Sequence, residues 1–157
     1  MAIVLKRLFF CSASILILFI PKKSRKRFFP VSIFSIFLTT LLIFIGKEYE
    51  FWKVHGGGSR KFMLNATAIF IGAFPFGNFL MFHLFYGRFK MYLLGNFIQN
   101  CIYAFIGIPL LDKIKYVKYV KFTKIHHIIV TMTFSVLAYG FQNFLEKNNF
   151  MKKKLVK

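Results

Sequence analysis

The sequence predicts an all-α protein, a polytopic transmembrane bundle of about five helical spans joined by short loops. Apolar residues make up 57% of the 157 residues, and 24 residues are Phe. Charged residues make up 17%, against about 25% in a soluble domain, and they are concentrated between long apolar runs. Five of these runs reach or approach the roughly 20 residues that a helix needs to cross a bilayer.

The predicted spans form a single transmembrane domain over residues 1–157. They are residues 2–20, 28–46, 62–86, 89–111 and 125–145, followed by a basic tail at 146–157.

The first span is interrupted by Lys6 and Arg7, which leaves an unbroken apolar run of about 20 Å if it is helical. Flexible basic side chains can extend back to the headgroups, so the residues before them can still count toward a span. The apolar run is followed by Pro21, Lys22 and Lys23, with no small-x-small cleavage site, and we therefore expect an uncleaved anchor. Whether this stretch crosses the membrane is left open.

The second and third spans differ in their prolines. Pro30 lies near the start of an uncharged stretch, where a helix tolerates proline because first-turn amides lack acceptors within the helix. Pro75 lies inside the third stretch, between Gly72 and Gly77, and predicts a helix break. The third stretch is thus either a kinked span or a re-entrant segment. The fourth span follows after a very short connection, which predicts an antiparallel hairpin.

Residues 112–124 form a lysine-rich connection before the fifth span. On a helix, the lysines would share one side, and Tyr and Val residues would occupy the other. This pattern predicts a short amphipathic helical segment at the headgroup boundary. Each lysine would gain about 1 kcal/mol from anionic lipid headgroups. A helix that binds a protein partner is the rival interpretation. The lysines are Lys113, Lys115, Lys118, Lys121 and Lys124.

Polar residues recur at helical spacing within three of the spans, so each set occupies one helix face. They are Ser32, Ser35 and Thr39; Tyr92, Asn96, Gln99, Asn100, Tyr103 and Gly107; and Thr131, Ser135, Tyr139 and Gln142. Unpaired amides in hydrocarbon cost several kcal/mol, so we expect these faces to point inward. Asn96, Gln99, Asn100 and Tyr103 either make interhelical hydrogen bonds, typically of about 0.6 kcal/mol each, or line a polar path.

The charges and motifs argue against several function classes. The four acidic residues all lie at span ends or in loops, whereas ion-coupled carriers commonly place a carboxylate inside the membrane. The net charge of +19 is split among loops on both sides of the predicted membrane, so we expect no nucleic-acid partner. The His and Cys residues have no metal-ligand spacing, and hydrolase motifs are absent. We therefore expect no metal, no cofactor and no enzymatic activity.

Three segments carry a resemblance to a known type of protein. They are Lys-Arg-Phe-Phe-Pro at 26–30, Tyr-Gly-Arg-Phe-Lys-Met-Tyr-Leu-Leu-Gly-Asn-Phe at 86–97 and Leu-Ala-Tyr-Gly-Phe-Gln at 137–142. The chain resembles a family of uncharacterised small multi-spanning membrane proteins from endospore-forming Gram-positive bacteria. In that family a basic-Arg-Phe-x-Pro motif precedes a helix, and a Tyr-Gly-basic-Phe hairpin joins two more. The resemblance implies a multi-pass protein of a bacterial cell membrane and supplies no catalytic residues.

Two functions follow as expectations. The first is a non-enzymatic integral membrane protein that is structural or binds a partner, either another membrane protein or a second copy of itself. The alternative is a small permease or transport subunit with a polar path along the fourth helix. Lys and Arg residues are balanced between the two predicted sides, so the positive-inside rule leaves the orientation open.

Overall fold

The structure, a computed structural model, describes residues 13–54 and 73–148. These residues are mostly helical. The elements in chain order are a 3₁₀ helix Ala13–Phe19, α1 Lys22–Glu48, β1 Trp52–Val54, α2 Ala73–Phe85, α3 Phe89–Lys113, β2 Val117–Tyr119 and α4 Lys124–Lys147.

Three of the helices, α1, α3 and α4, are long and apolar enough to cross a membrane. They contain the second, fourth and fifth predicted spans; α1 and α4 extend beyond theirs at both ends, and α3 begins at the predicted residue and ends two residues later than predicted. The shortest of the three has 24 residues, which corresponds to about 36 Å and exceeds the thickness of the bilayer core. The sequence prediction of long apolar helices in these three regions is confirmed.

The first and third predicted spans are described only in part. The 3₁₀ helix covers the end of the first, and α2, with 13 residues, covers the end of the third. Pro75 lies in the first described turn of α2. Because residues 55–72 lie outside the described part of the chain, the break at Pro75 stays a prediction.

The four helices pack in the order α1–α2–α3–α4, with α4 closing back onto α1. Helices α2 and α3 are joined only by residues 86–88 and run antiparallel, as the hairpin prediction requires. Their surfaces are close together at Gly95, which lies against Met81 and Phe85, and at Gly77, which lies against Gln99. A Cβ atom at Gly95 would lie 2.8 Å from the Phe85 ring, so this contact depends on glycine, whereas at Gly77 it would meet only the flexible end of Gln99.

Burial follows an inside-out pattern along the long helices. Polar side chains of α1, α3 and α4 are buried between the helices, whereas large apolar side chains such as Phe37, which is 56% exposed, face outward. This arrangement is the opposite of the usual soluble helix, which buries an apolar stripe and exposes a polar one. It confirms the prediction that the polar stripes point inward.

The connection between α3 and α4 differs from its prediction. β2 pairs antiparallel with β1, with Trp52 opposite Tyr119 and Val54 opposite Val117. The prediction of an amphipathic helix over residues 112–124 is therefore wrong, and the all-α class omits a small two-stranded sheet. We refer to the end of the packed helices that carries this sheet as the sheet end, and to the opposite end, where α1 begins and α4 ends, as the basic end.

The backbone accounts for the absence of a helix in residues 114–123. Lys115 adopts a φ of 52°, which ends the preceding helix. The amides of Val120 and Phe122 then both donate to the carbonyl oxygen of Phe51, at 2.9 and 3.2 Å. The spacing of the lysines fits a helix, but these non-local backbone hydrogen bonds take the place of helical ones.

Candidate functional site

The inward polar stripes meet near the middle of the helices around a cavity of about 30 Å³, which we call the amide cavity. A volume of this size accommodates about two water molecules. All four helices contribute to its walls, and no charged side chain of the described residues lines it. The polar side chains of the lining are Ser35, Thr39, Asn78, Tyr92, Asn96, Gln99, Asn100, Thr131 and Ser135.

The serine and threonine hydroxyl groups of the cavity are held by their own helices. Each donates a hydrogen bond to the carbonyl oxygen four residues earlier: Ser35 at 2.9 Å, Thr39 at 2.6 Å, Thr131 at 2.7 Å and Ser135 at 2.9 Å. A hydroxyl has one hydrogen and two acceptor lone pairs. These four groups therefore present mainly acceptor oxygens to the cavity.

Asn96 joins α3 to α4. Its Nδ2 donates to the carbonyl oxygen of Tyr92 at 2.8 Å, and its Oδ1 lies 3.2 Å from the Ser135 hydroxyl, which shares its hydrogen with this atom. The Tyr92 hydroxyl in turn donates to the carbonyl oxygen of Ser135 at 3.2 Å. The side chains of Asn96 and Tyr92 and the backbone carbonyl of Ser135 therefore all have hydrogen-bond partners, and two of these bonds join α3 to α4. We conclude that Asn96 contributes to helix packing.

Gln99 and Asn100 lack the strong interhelical hydrogen bond that Asn96 makes. Asn100 Nδ2 lies 3.8 Å from the sulfur of Met132, which is a weak acceptor. Within residues 13–54 and 73–148, the side-chain amides of Gln99 and Asn78 make no hydrogen bond. The three predicted path residues Asn96, Gln99 and Asn100 are therefore brought together, and one of them is occupied by an interhelical contact.

Tyr103, the fourth predicted residue, does not line the amide cavity, and its role in a polar path or in interhelical hydrogen bonds stays a prediction. It lies in a π-helical turn, Tyr103–Gly107, inside α3. Pro109 has no N–H to donate to the Phe105 carbonyl, and the Ile108 amide instead bonds back to Tyr103, five residues earlier. The centre of the Tyr103 ring lies 5.0 Å from the centre of the His127 ring.

A polar contact at the sheet end was not predicted from the sequence. The Tyr119 hydroxyl lies 2.9 Å from Nδ1 of His127, and burial raises the pKa of Tyr119 above its ordinary value. His127 is buried, and its Nε2 has no hydrogen-bond partner among the described residues. The contact links β2 to the first turn of α4, so it anchors the sheet on the helices.

A second unpredicted cluster lies at the basic end. The Arg27 guanidinium binds both carboxylate oxygens of Glu146, at 2.6 and 2.9 Å, and Gln142 donates to the same carboxylate at 2.9 Å. The Arg27 guanidinium also lies 4.8 Å from the centre of the Tyr86 ring. Segments 26–30, 86–97 and 137–142, far apart in sequence, meet here. The only sequence signal was Glu146, an isolated acid among basic residues.

The five predicted headgroup lysines are all exposed at the sheet end. Two of them have intramolecular contacts: Lys121 lies 3.8 Å from Glu50, and the Lys124 amine lies 5.0 Å from the centre of the Phe105 ring. Contact of these lysines with lipid stays a prediction. Over the described residues, no group of three or more His, Cys, Asp or Glu side chains could hold a metal ion.

Comparison of the chain with protein-family models, with curated proteins and with solved structures finds no match. The resemblance to small multi-spanning proteins of endospore-forming bacteria therefore stays a prediction.

Proposed function

We propose that the chain is a multi-pass protein of a bacterial cell membrane, a bundle of about five spans with a non-enzymatic role as a structural or partner-binding component. One observation carries this proposal: the central polar stripe bonds helix to helix. Asn96, Ser135 and Tyr92 connect α3 with α4 through hydrogen bonds of 3.2 Å. Polar residues that hold helices together favour a packing role over a substrate path.

The outward faces provide the surface for a partner. Large apolar side chains are exposed along all three long helices, among them Phe37 on α1, Ile98 on α3 and Ile129 on α4. In a bilayer such faces contact lipid or another transmembrane segment. The partner is another membrane protein or a second copy of the chain, and the sheet-end lysines contact anionic lipid headgroups.

The partner proposal is tested by extracting the protein from bacterial membranes in a mild detergent and measuring the size of the complex. We expect migration as an assembly larger than one copy in its micelle, and loss of a membrane process when the gene is deleted. A single copy per micelle, together with a deletion strain of unchanged growth, permeability and envelope assembly, contradicts the proposal.

The topology proposal has its own test. β1 lies at the sheet end, and α2 ends at the basic end, where Tyr86 packs against Phe28 with ring centres 5.3 Å apart. Because β1 and the end of α2 lie at opposite ends of the packed helices, this arrangement supports a third span that crosses the membrane fully rather than a re-entrant segment. Five spans put the two termini on opposite sides of the membrane, which tags at both termini in cells with intact membranes will report. Termini on the same side contradict five spans.

A small permease is the second candidate function, favoured by the position of the amide cavity near the middle of the helices. In proteoliposomes, the Gln99→Leu and Asn100→Leu double variant should abolish transport while the protein stays folded, because neither side chain makes a strong helix-to-helix hydrogen bond. Asn96→Leu is the matched packing variant and should lower stability. Transport that survives the double variant contradicts a permease path through the amide cavity.

A further inference from the structure

The amide cavity has a surplus of unpaired polar atoms. The hydroxyls of Ser35, Thr39 and Thr131 direct their hydrogens to their own helices, so acceptor lone pairs face the cavity. Among the described residues, the Gln99 and Asn78 amides have neither donors nor acceptors satisfied. Gln99 and Asn78 are half-buried, and in a bilayer the middle of the helices lies away from bulk water, where unpaired polar groups are costly and are nearly always hydrogen-bonded. The lining therefore favours a ligand that both donates and accepts hydrogen bonds.

Size and charge restrict that ligand. The volume of about 30 Å³ accommodates about two water molecules and is smaller than an amino acid or a sugar. The described lining carries no charged side chain. A cation would thus lack a counter-charge in a chain of net charge +19. An anion would face the acceptor lone pairs of the hydroxyl groups, and only the amide groups would be free to donate to it.

We propose that the amide cavity binds two ordered water molecules, which bridge the amides on α2 and α3 to the hydroxyls on α1 and α4. Each water donates to hydroxyl oxygens and accepts from an amide, which satisfies both kinds of unpaired atom. Buried waters of this type typically make about three hydrogen bonds and form part of the folded structure. This inference goes beyond the proposed function and holds whether or not the chain has a protein partner.

The chain offers a direct spectroscopic test, because its only two glutamines are Gln99 and Gln142. Labelling with ¹⁵N-glutamine gives two side-chain amide signals in the protein reconstituted in bilayers. Gln142 is the internal control, since it is fully buried and its amide donates to Glu146. We expect magnetisation transfer from water to the Gln99 amide to be several-fold stronger than to Gln142. A folded protein without transfer from water to Gln99 overturns the proposal.

A matched pair of variants tests the place of the water. Ser35 bonds only to its own helix, so Ser35→Val adds apolar atoms to the cavity wall without breaking a helix-to-helix hydrogen bond. We expect it to reduce the transfer to Gln99 several-fold, whereas Ser35→Ala retains most of it. Equal transfer in both variants overturns the assignment to this cavity.

Sodium, potassium and ammonium chloride titrations of the wild-type protein at constant ionic strength test for an ion. Gln99 signals that are the same in all three salts support water. A shift of the Gln99 amide specific to one cation overturns the proposal in favour of an ion site.

Discussion

The docking of the sheet onto α1 predicts a large effect for one added methyl group, Gly46→Ala. A Cβ atom at Gly46 would lie 2.3 Å from the Cη2 atom of Trp52 and 2.5 Å from its Cζ2 atom, whereas carbon atoms pack at about 3.5–4.0 Å. The indole would have to move by more than 1 Å. It is held by the pairing of β1 with β2 and by the ring of Phe122, 5.7 Å away. Forced overpacking of this kind costs about 1–3 kcal/mol.

Trp52 reports this change directly, because it is the only tryptophan of the chain. We expect Gly46→Ala to lower the free energy of unfolding by about 1–3 kcal/mol, measured by denaturation in detergent. The indole leaves its contact with α1 and gains water, so its emission should shift to longer wavelength. Its quenching by acrylamide should also increase.

Gly140→Ala is the matched control, since a Cβ atom at this helical glycine meets nothing within 4 Å. It should leave the emission unchanged and keep or raise stability by up to about 1 kcal/mol. Trp52→Leu in the Gly46→Ala background should recover part of the loss, because the two residues are in contact and their effects are not additive. Unchanged emission and stability in Gly46→Ala would show that Trp52 does not pack on α1.

Three further predictions concern the ends and the centre of the helices. A double-mutant cycle of Arg27→Gln and Glu146→Gln should give a coupling of about 1 kcal/mol, since side-chain exposures of 42% and 29% let water screen the pair; zero coupling contradicts it. Ser135→Ala should lower the free energy of unfolding by about 0.6 kcal/mol, because Asn96 loses its donor; an unchanged denaturation curve refutes this. Because the pKa of Tyr119 is raised in the folded protein, its hydroxyl stays protonated to a higher pH there than in the unfolded chain. The free energy of unfolding should therefore fall as the pH rises above about 10. Tyr119→Phe should reduce this fall in pH-dependent melting, and an identical slope would contradict the prediction.

The long helices and their inward faces could be predicted because both signals are local in the sequence. A run of about 20 apolar residues sets helix length, and polar residues at three-and-four spacing mark one face. Ser35, Asn96 and Ser135 were placed inward on this basis, and all three are buried. The hairpin between α2 and α3 followed from a connection too short for any other arrangement.

The sheet and the basic-end ion pair could not be predicted because their partners are distant in sequence. β1 and β2 are paired across more than 60 residues, and the lysines of the intervening connection have a spacing that also fits a helix. Arg27 and Glu146 are 119 residues apart. Tyr103 was placed in the polar path by ideal helix geometry, and the π-helical turn Tyr103–Gly107 departs from that geometry. A local irregularity of this kind is invisible to an argument from regular spacing.

If the chain is a permease, the size of the amide cavity restricts the solutes that it could transport more than the polarity of the cavity does. A cavity of about 30 Å³ accommodates about two water molecules while the helices stay packed. Because α3 and α4 supply most of the lining, we expect a larger solute to separate these two helices and to break the hydrogen bonds between Asn96, Ser135 and Tyr92. Transport of a water-sized neutral solute should therefore survive a disulfide or crosslink that fixes α3 to α4, and transport of an amino acid or sugar should be abolished by it. Equal transport of a large solute with and without the crosslink would show that the amide cavity lies off the path.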